Sequence, residues 1–271
     1  MAPGRAGEVS AVTALPDFLL LPLVGVLGGL FGSFANVAIY REPHGRSVVR
    51  PRSACPSCGT TLSGIENVPV VSWLALRGRC RHCRAPISAR YPMVELVTAA
   101  VWVLVAMRVG WQPELPAYLV FGTALVILSA IDFDVQRLPN KVLTWAAVIG
   151  AVLFALAALV HRDATPLWHG VLGGLGYGIP MFVIGLVAPG GMGFGDVKFA
   201  PYLGFHLGWL RPGYVPVGAF LGFLFGALLG GLLMAIGRAG RKTKIPFGPF
   251  MAMGAFVTLF VGDAILRFWL P

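Results

Sequence analysis

LPAYLVFGTALVILSAIDFDVQRLPN, residues 115–140, decides the fold class. From 115 to 131 the chain carries no charge, which is enough residues for a helix to reach across a bilayer core of about 30 Å. The run then ends abruptly on Asp132 and Asp134, followed by the basic residues Arg137 and Lys141. A helix of this kind crosses a membrane and leaves acidic residues at its boundary, where a charge is costly and therefore functional by default.

Working outward, similar apolar runs cover about 18–40, 93–110, 142–160, 167–188, 216–237 and 248–268. A shorter run, 199–210, is interrupted by Pro201 and glycines. The 271 residues are 57% hydrophobic and 12% charged, with a mean hydropathy of +0.79. Soluble domains rarely have this balance. The expected fold is an all-α polytopic membrane protein of about eight transmembrane helices. The first run (17–40) reads as an anchor rather than a cleaved leader, because it is too long and no small-residue cleavage site follows it. Residues 1–16 have no periodic pattern and are expected to form a short external tail.

The net charge of +10 is not spread evenly. Nine arginines fall in residues 41–90, and sixteen of the 21 basic residues lie on one side if eight helices alternate. Lys198 and the group Arg238, Arg241, Lys242 and Lys244 belong to that side. By the positive-inside rule the basic loops face the cytoplasm and both termini face out. No basic helix or aromatic platform accompanies the charge, so no nucleic-acid partner is expected; the surroundings are membrane lipid. The scattered tryptophans fit interfacial belts, and the glycines at 218–231 fit close helix packing.

Residues 41–91 form the one sizeable polar segment, inserted after the first helix and too poor in apolar residues for an ordinary core. All four cysteines lie in it, as Cys55-Pro-Ser-Cys58 and Cys80-Arg-His-Cys83. Two such knuckles supply a closed tetrahedral sulfur shell, so the segment is expected to be stapled by a structural zinc. A redox role is disfavoured by the reducing side of the membrane and by the absence of a βαβ pattern. His82 lies inside the second knuckle and points to solvent on this reading.

A second acidic residue stands at the same face: Asp196 in GMGFGDVK, residues 191–198. Sixty-four positions separate it from Asp132, yet the alternating topology places both at the cytoplasmic boundary. Paired carboxylates cannot readily both ionise; one keeps a proton while the other draws one from a shared water, which then attacks a carbonyl. Gly193 and Gly195 would let backbone approach a substrate or adopt positive φ. Asp134 reads as an ordinary helix-end residue, Asp263 as structural, and Lys198 as a topology charge. His161, His169 and His206 have no metal-binding spacing.

Together these stretches resemble the bifunctional prepilin peptidases, the type IV leader peptidase and N-methyltransferase family. The resemblance is carried by GSFANVAIYREP (32–43), the paired knuckles, NVPVVSWLALRGRCRHCRAPISARYPMVEL (67–96), IDFDVQRLPN (131–140), GMGFGDVK (191–198) and IPFGPF (245–250). It implies that Asp132, seven positions before Pro139, and Asp196 of the G-x-G-D motif are the catalytic pair. It further implies cleavage of the leader from type IV prepilin or pseudopilin precursors at the cytoplasmic face of a bacterial inner membrane. Methylation of the new N-terminal amine by S-adenosyl-L-methionine would follow. On that reading 41–91 is the methyltransferase-associated module and 92–271 the peptidase body. No glycine-rich nucleotide fingerprint is present; Glu95 and Glu66 are the candidate methyl-transfer bases by position. A peptidase with an inactive methyltransferase module, a presenilin-like intramembrane aspartyl protease and a zinc-stapled scaffold are the alternatives. The last predicts dispensable aspartates.

Overall fold

The structure is a computed structural model that describes residues 16–187, 193–238, 240, 243 and 245–269. The expected external tail, apart from residue 16, lies outside the described residues, as do Gly191, Met192, Arg241, Lys242 and Lys244. The chain is all-helical: α1 (Asp17–Arg41), α2 (Val71–Ala75), α3 (Arg90–Val109), α4 (Leu115–Val135), α5 (Asn140–His161), α6 (Thr165–Val187), α7 (Phe194–Leu210), α8 (Tyr214–Ala235) and α9 (Gly248–Trp269). Among the described residues, seven of these helices are long and apolar enough to cross a membrane. They are all but the short α2 and α7.

The helix α7 differs from the apolar run 199–210. It starts earlier, at Phe194, and spans 17 residues with Asp196, Val197, Phe199, Leu203 and Leu207 all buried. Surrounded by protein, it needs no uniform lipid-facing surface, and its start carries the polar residues Asp196 and Lys198. It is clamped to α6 through small residues. A Cβ on Gly173 would collide with the carbonyl of Gly204, and one on Gly178 would lie 3.2 Å from Pro201 Cβ. In lipid, where apolar side chains gain little from meeting each other, such backbone-to-backbone approach is what holds helices together. The contacts run antiparallel, ending with Gly185 against Val197.

The most enclosed spanning helix is α4, with 67% of its apolar window inside the protein. Its Tyr118 hydroxyl donates to the His206 carbonyl of α7 at 2.6 Å. Phe121 stacks on the His206 ring at 4.3 Å, and Phe154 of α5 meets the same ring at 5.3 Å. The role His206 plays is thus that of a core aromatic.

Helix direction alternates through the bundle, so chain ends collect at two faces. At one, Asp263 of α9 pairs with Arg211 (2.8 Å) and Arg108 (3.8 Å), and Arg108 also donates to the Tyr214 hydroxyl (2.9 Å). His161 pairs there with Glu114 at 2.9 Å, which supplies a partner for a residue that had no role by spacing. The structural role expected of Asp263 matches this clasp. The opposite face gathers the end of α4 and the starts of α3, α5, α7 and α9, and carries the cysteine segment.

Candidate active site and metal centre

Asp132 lies in the last turn of α4 and is 5% exposed; Asp196 sits in the first turn of α7 and is 6% exposed. Gly248, whose amide meets Asp132, and Gly195, next to Asp196, both pack against Leu138, so the fold brings together the pair expected from the sequence. Asp196 stands three residues after the N-cap Gly193, whose amide its carboxylate accepts. That is half of a capping box, and an acidic group in a first turn also suits the helix dipole.

Neither glycine of the turn has positive φ: Gly193 is extended at φ −69°, and Gly195 lies in the helix. The expectation of left-handed backbone is therefore corrected; the glycines are required for space. A Cβ on Gly193 would sit 3.1 Å from Asp196 Oδ2, and one on Gly195 would sit 3.0 Å from Leu138 Cβ. Leu138, from the loop between α4 and α5, fills the gap between α7 and α9 and reaches Gly248 at the start of α9. The Gly248 amide donates to Asp132 Oδ2 at 3.2 Å. Within IPFGPF it is this tertiary contact that singles out Gly248.

The neighbouring charges are accounted for. Asp134 pairs with Arg90 at 2.5 Å, and Arg90 also donates to the Ala130 carbonyl. This joins the start of α3 to the end of α4, and it separates Asp134 from Asp132 as the spacing indicated. Lys198 is more than a topology charge: it donates to Asn140 Oδ1 at 3.1 Å and lies over the Phe194 ring at 4.7 Å. It ties the starts of α5 and α7 together beside the carboxylates.

The cysteine segment is built from two matching knuckles. Cys55 N–H donates to the Thr60 carbonyl (2.9 Å) and Cys80 N–H to the Ala85 carbonyl (2.8 Å). Each turn closes four residues on with a left-handed residue, Gly59 (φ +70°) or Arg84 (φ +62°). Cys55, Cys58, Cys80 and Cys83 are free thiols whose sulfurs all lie within 4.8 Å of one another. Cys55 and Cys83 Sγ are 3.8 Å apart, which matches the ~3.8 Å edge of a tetrahedron with ~2.3 Å metal–sulfur bonds. The Thr60 hydroxyl and amide hold the Cys58 thiol down at about 6. At Cys83 the Ala85 amide favours the thiolate, but burial and the adjoining thiols outweigh it and push the group up to about 11. Four sulfurs this close do not all ionise by themselves; a cation at their centre relieves the conflict. The donor set and geometry therefore fit a metal ion. His82 stays outside it, 3.6 Å from Glu66 with its side chain 48% exposed.

Between the knuckles and the membrane helices lies a cavity of about 440 Å3, within the usual ~300–1,000 Å3 of small-molecule sites. Asn36 and Tyr40 of α1, Trp73 of α2, and Tyr91 and Glu95 of α3 line it, together with Cys55 and Cys80. Glu95 is 8% exposed. Its Oε2 accepts the Val70 amide at 2.8 Å, at a β-branched residue held at φ +61°. That burial sets Glu95 into the cavity wall rather than at a lipid boundary. Glu66 also borders the cavity, but Ser63 N–H and Oγ occupy its Oε2 (2.9 and 2.7 Å) and His82 stands at Oε1. The Ser63 donors hold its carboxyl below the usual range. Arg41, beside the cavity, donates to the Ser47 and Arg52 carbonyls and so secures the loop leading into the knuckles.

Comparison with known proteins bears on both halves. The profile of the "Bacterial Peptidase A24 N-terminal domain" matches residues 26–109, and that of the "Type IV leader peptidase family" matches residues 119–236. The prepilin leader peptidase/N-methyltransferase of Aeromonas hydrophila is 36% identical, covering 93% of this chain and 94% of its own. The chain belongs to the prepilin leader peptidase/N-methyltransferase family. Its relatives of that name in Pseudomonas aeruginosa (36% identical; 90% and 91% covered) and Bacillus subtilis (32%; 93% and 98%) extend the similarity across distant bacteria. No solved structure gives a significant match. This is an aspartic-type peptidase family of multi-pass membrane proteins, and the boundary between the two matched segments falls between α3 and α4.

Proposed function

We propose that the protein cleaves the leader from type IV prepilins and pseudopilins and methylates the amine so exposed, both at the cytoplasmic face of the inner membrane. The observation that carries the first half is the convergence of Asp132 and Asp196, both buried and both beside Leu138 although 64 positions apart. One carboxylate takes a proton from the shared water as its oxygen bonds to the scissile carbonyl carbon. The other, protonated, donates to the carbonyl oxygen. The C–N bond then breaks and the leaving amine takes a proton from the pair. The family names of the relatives, which specify prepilin leaders, support this substrate class.

For the second half, the cavity beneath the knuckles is the methyl-transfer chamber. S-adenosyl-L-methionine, when bound, supplies the electrophilic methyl group. Trp73, Tyr40 and Tyr91 offer aromatic faces suited to an adenine ring and a sulfonium cation. An α-amine has a pKa of about 8 and must lose its proton to react. Glu95, buried at the cavity wall, takes that proton; Glu66, with both oxygens engaged, braces the module. Zinc, held by Cys55, Cys58, Cys80 and Cys83, is structural: four sulfurs leave no open position. Basic residues on α1's loop and on Lys198's side of the bundle support the cytoplasmic orientation of both sites.

The test is incubation of each variant with a pilin-like precursor and an isotopically labelled methyl donor. Asp132→Asn and Asp196→Asn are expected to abolish cleavage. Near-normal cleavage by either would sink the hydrolytic reading.

A further inference from the structure

Resting on the hydrolytic reading above, we propose that Gly248, the first residue of α9, is a positioning residue for the aspartate pair. Two observations meet there. The Gly248 amide donates to Asp132 Oδ2 at 3.2 Å, so the start of a 22-residue helix fixes one oxygen of a carboxylate that is 5% exposed. A side chain at 248 has no room: its Cβ would lie 2.8 Å from that same oxygen and 3.3 Å from Leu138 Cδ1.

The oxygen thus lies against the N–H and the bare Cα of one residue, a seat that only glycine leaves open. Leu138 closes the arrangement, wedged between Gly248 and Gly195, one residue before Asp196. Both carboxylates are in this way referred to one contact line, Asp132–Gly248–Leu138–Gly195–Asp196. The amide fixes Oδ2 and with it the orientation of the whole carboxylate toward its partner. Crowding of Oδ2 by a single methyl rotates or withdraws the carboxylate, and displacement of a reacting group by about 1 Å costs on the order of 10²-fold in rate.

The experiment uses full-length enzyme in detergent or vesicles, with an intact precursor and, separately, a precursor already trimmed of its leader. Gly248→Ala is expected to lower kcat for cleavage by about 10²-fold with KM within about twofold. Methylation of the trimmed substrate is expected to stay at the wild-type rate. The double variant Gly248→Ala/Leu138→Ala removes the crowding by leucine but not that by Oδ2, and is expected to stay impaired. Gly231→Ala, at an exposed glycine of α8 with nothing within 4 Å of an added Cβ, serves as the unaffected control. Cleavage within about twofold of wild type by Gly248→Ala would overturn the proposal. So would restoration by Leu138→Ala, or an equal fall in cleavage and methylation, since each indicates packing alone. If Asp132→Asn and Asp196→Asn themselves cleave normally, the hydrolytic reading is what fails; if they are inactive while Gly248→Ala is active, only this inference fails.

Discussion

The aspartate pair and the cysteine-bounded cavity lie at the same end of the bundle but are made in opposite ways. The pair is assembled from the ends of two separate helices, α4 and α7, with Leu138 and Gly248 packed against them and little free space. The cavity is assembled from a local segment folded on two knuckles and leaned against α1 and α3, and it is roomy. A hydrolytic site needs only a water and a strand of substrate between two carboxylates. A methyl-transfer site must take in an entire nucleotide-sized donor. On the proposed function, geometry rather than proximity to the membrane keeps the two chemistries apart. It also makes them separately breakable.

The largest expected effect falls on the pair. Asp132→Asn or Asp196→Asn should reduce cleavage by ~10²–10⁴-fold, measured as precursor shift on a gel, because each removes one side of the acid–base exchange. Methylation of trimmed substrate should continue. Next, on the proposed zinc site, Cys55→Ser or Cys80→Ser should abolish metal binding, measured by elemental analysis of purified protein, together with methyl transfer. Both cysteines line the cavity, and a sulfur shell missing one ligand no longer staples a segment this poor in apolar residues. Cleavage should survive in these variants. A loss of cleavage equal to that of methylation would show that the two regions are not separable.

Smaller is Glu95→Gln, expected to lower methyl transfer by about 10²-fold with cleavage unchanged. Glu66→Gln should weaken the module's stability more than its chemistry. Smallest is Asp134→Asn. Its pair with Arg90 is well exposed, 47% and 37% for the two side chains. Such pairs contribute at most about 1 kcal/mol, so cleavage should stay within about twofold of wild type.

The two regions were not equally legible in the sequence. The knuckles were readable because each C-x-x-C turn is written in local spacing and closes through its own backbone hydrogen bonds. Seven spans were readable from unbroken apolar runs. The start of α7 was not: Gly193, Asp196 and Lys198 are polar or flexible in sequence, yet one caps the helix, one fills its first turn and one anchors it to Asn140. Asp132 and Asp196 were legible only once alternating topology put them on one face. Glu95 needed the structure, because only the packing of Val70 against it distinguishes a buried cavity wall from a residue at a lipid boundary. Gly248 and Leu138 lie in stretches that carry the family resemblance, but nothing local assigns them a role, since their meaning lies in what an absent side chain leaves room for.

The most direct test of this division is mass spectrometry of the substrate N-terminus after incubation with Asp196→Asn and methyl donor. Intact precursor should keep its leader, while trimmed precursor should gain one N-methyl group. Removal of the leader by this variant, or failure to methylate the trimmed substrate while wild type does so, would contradict the account.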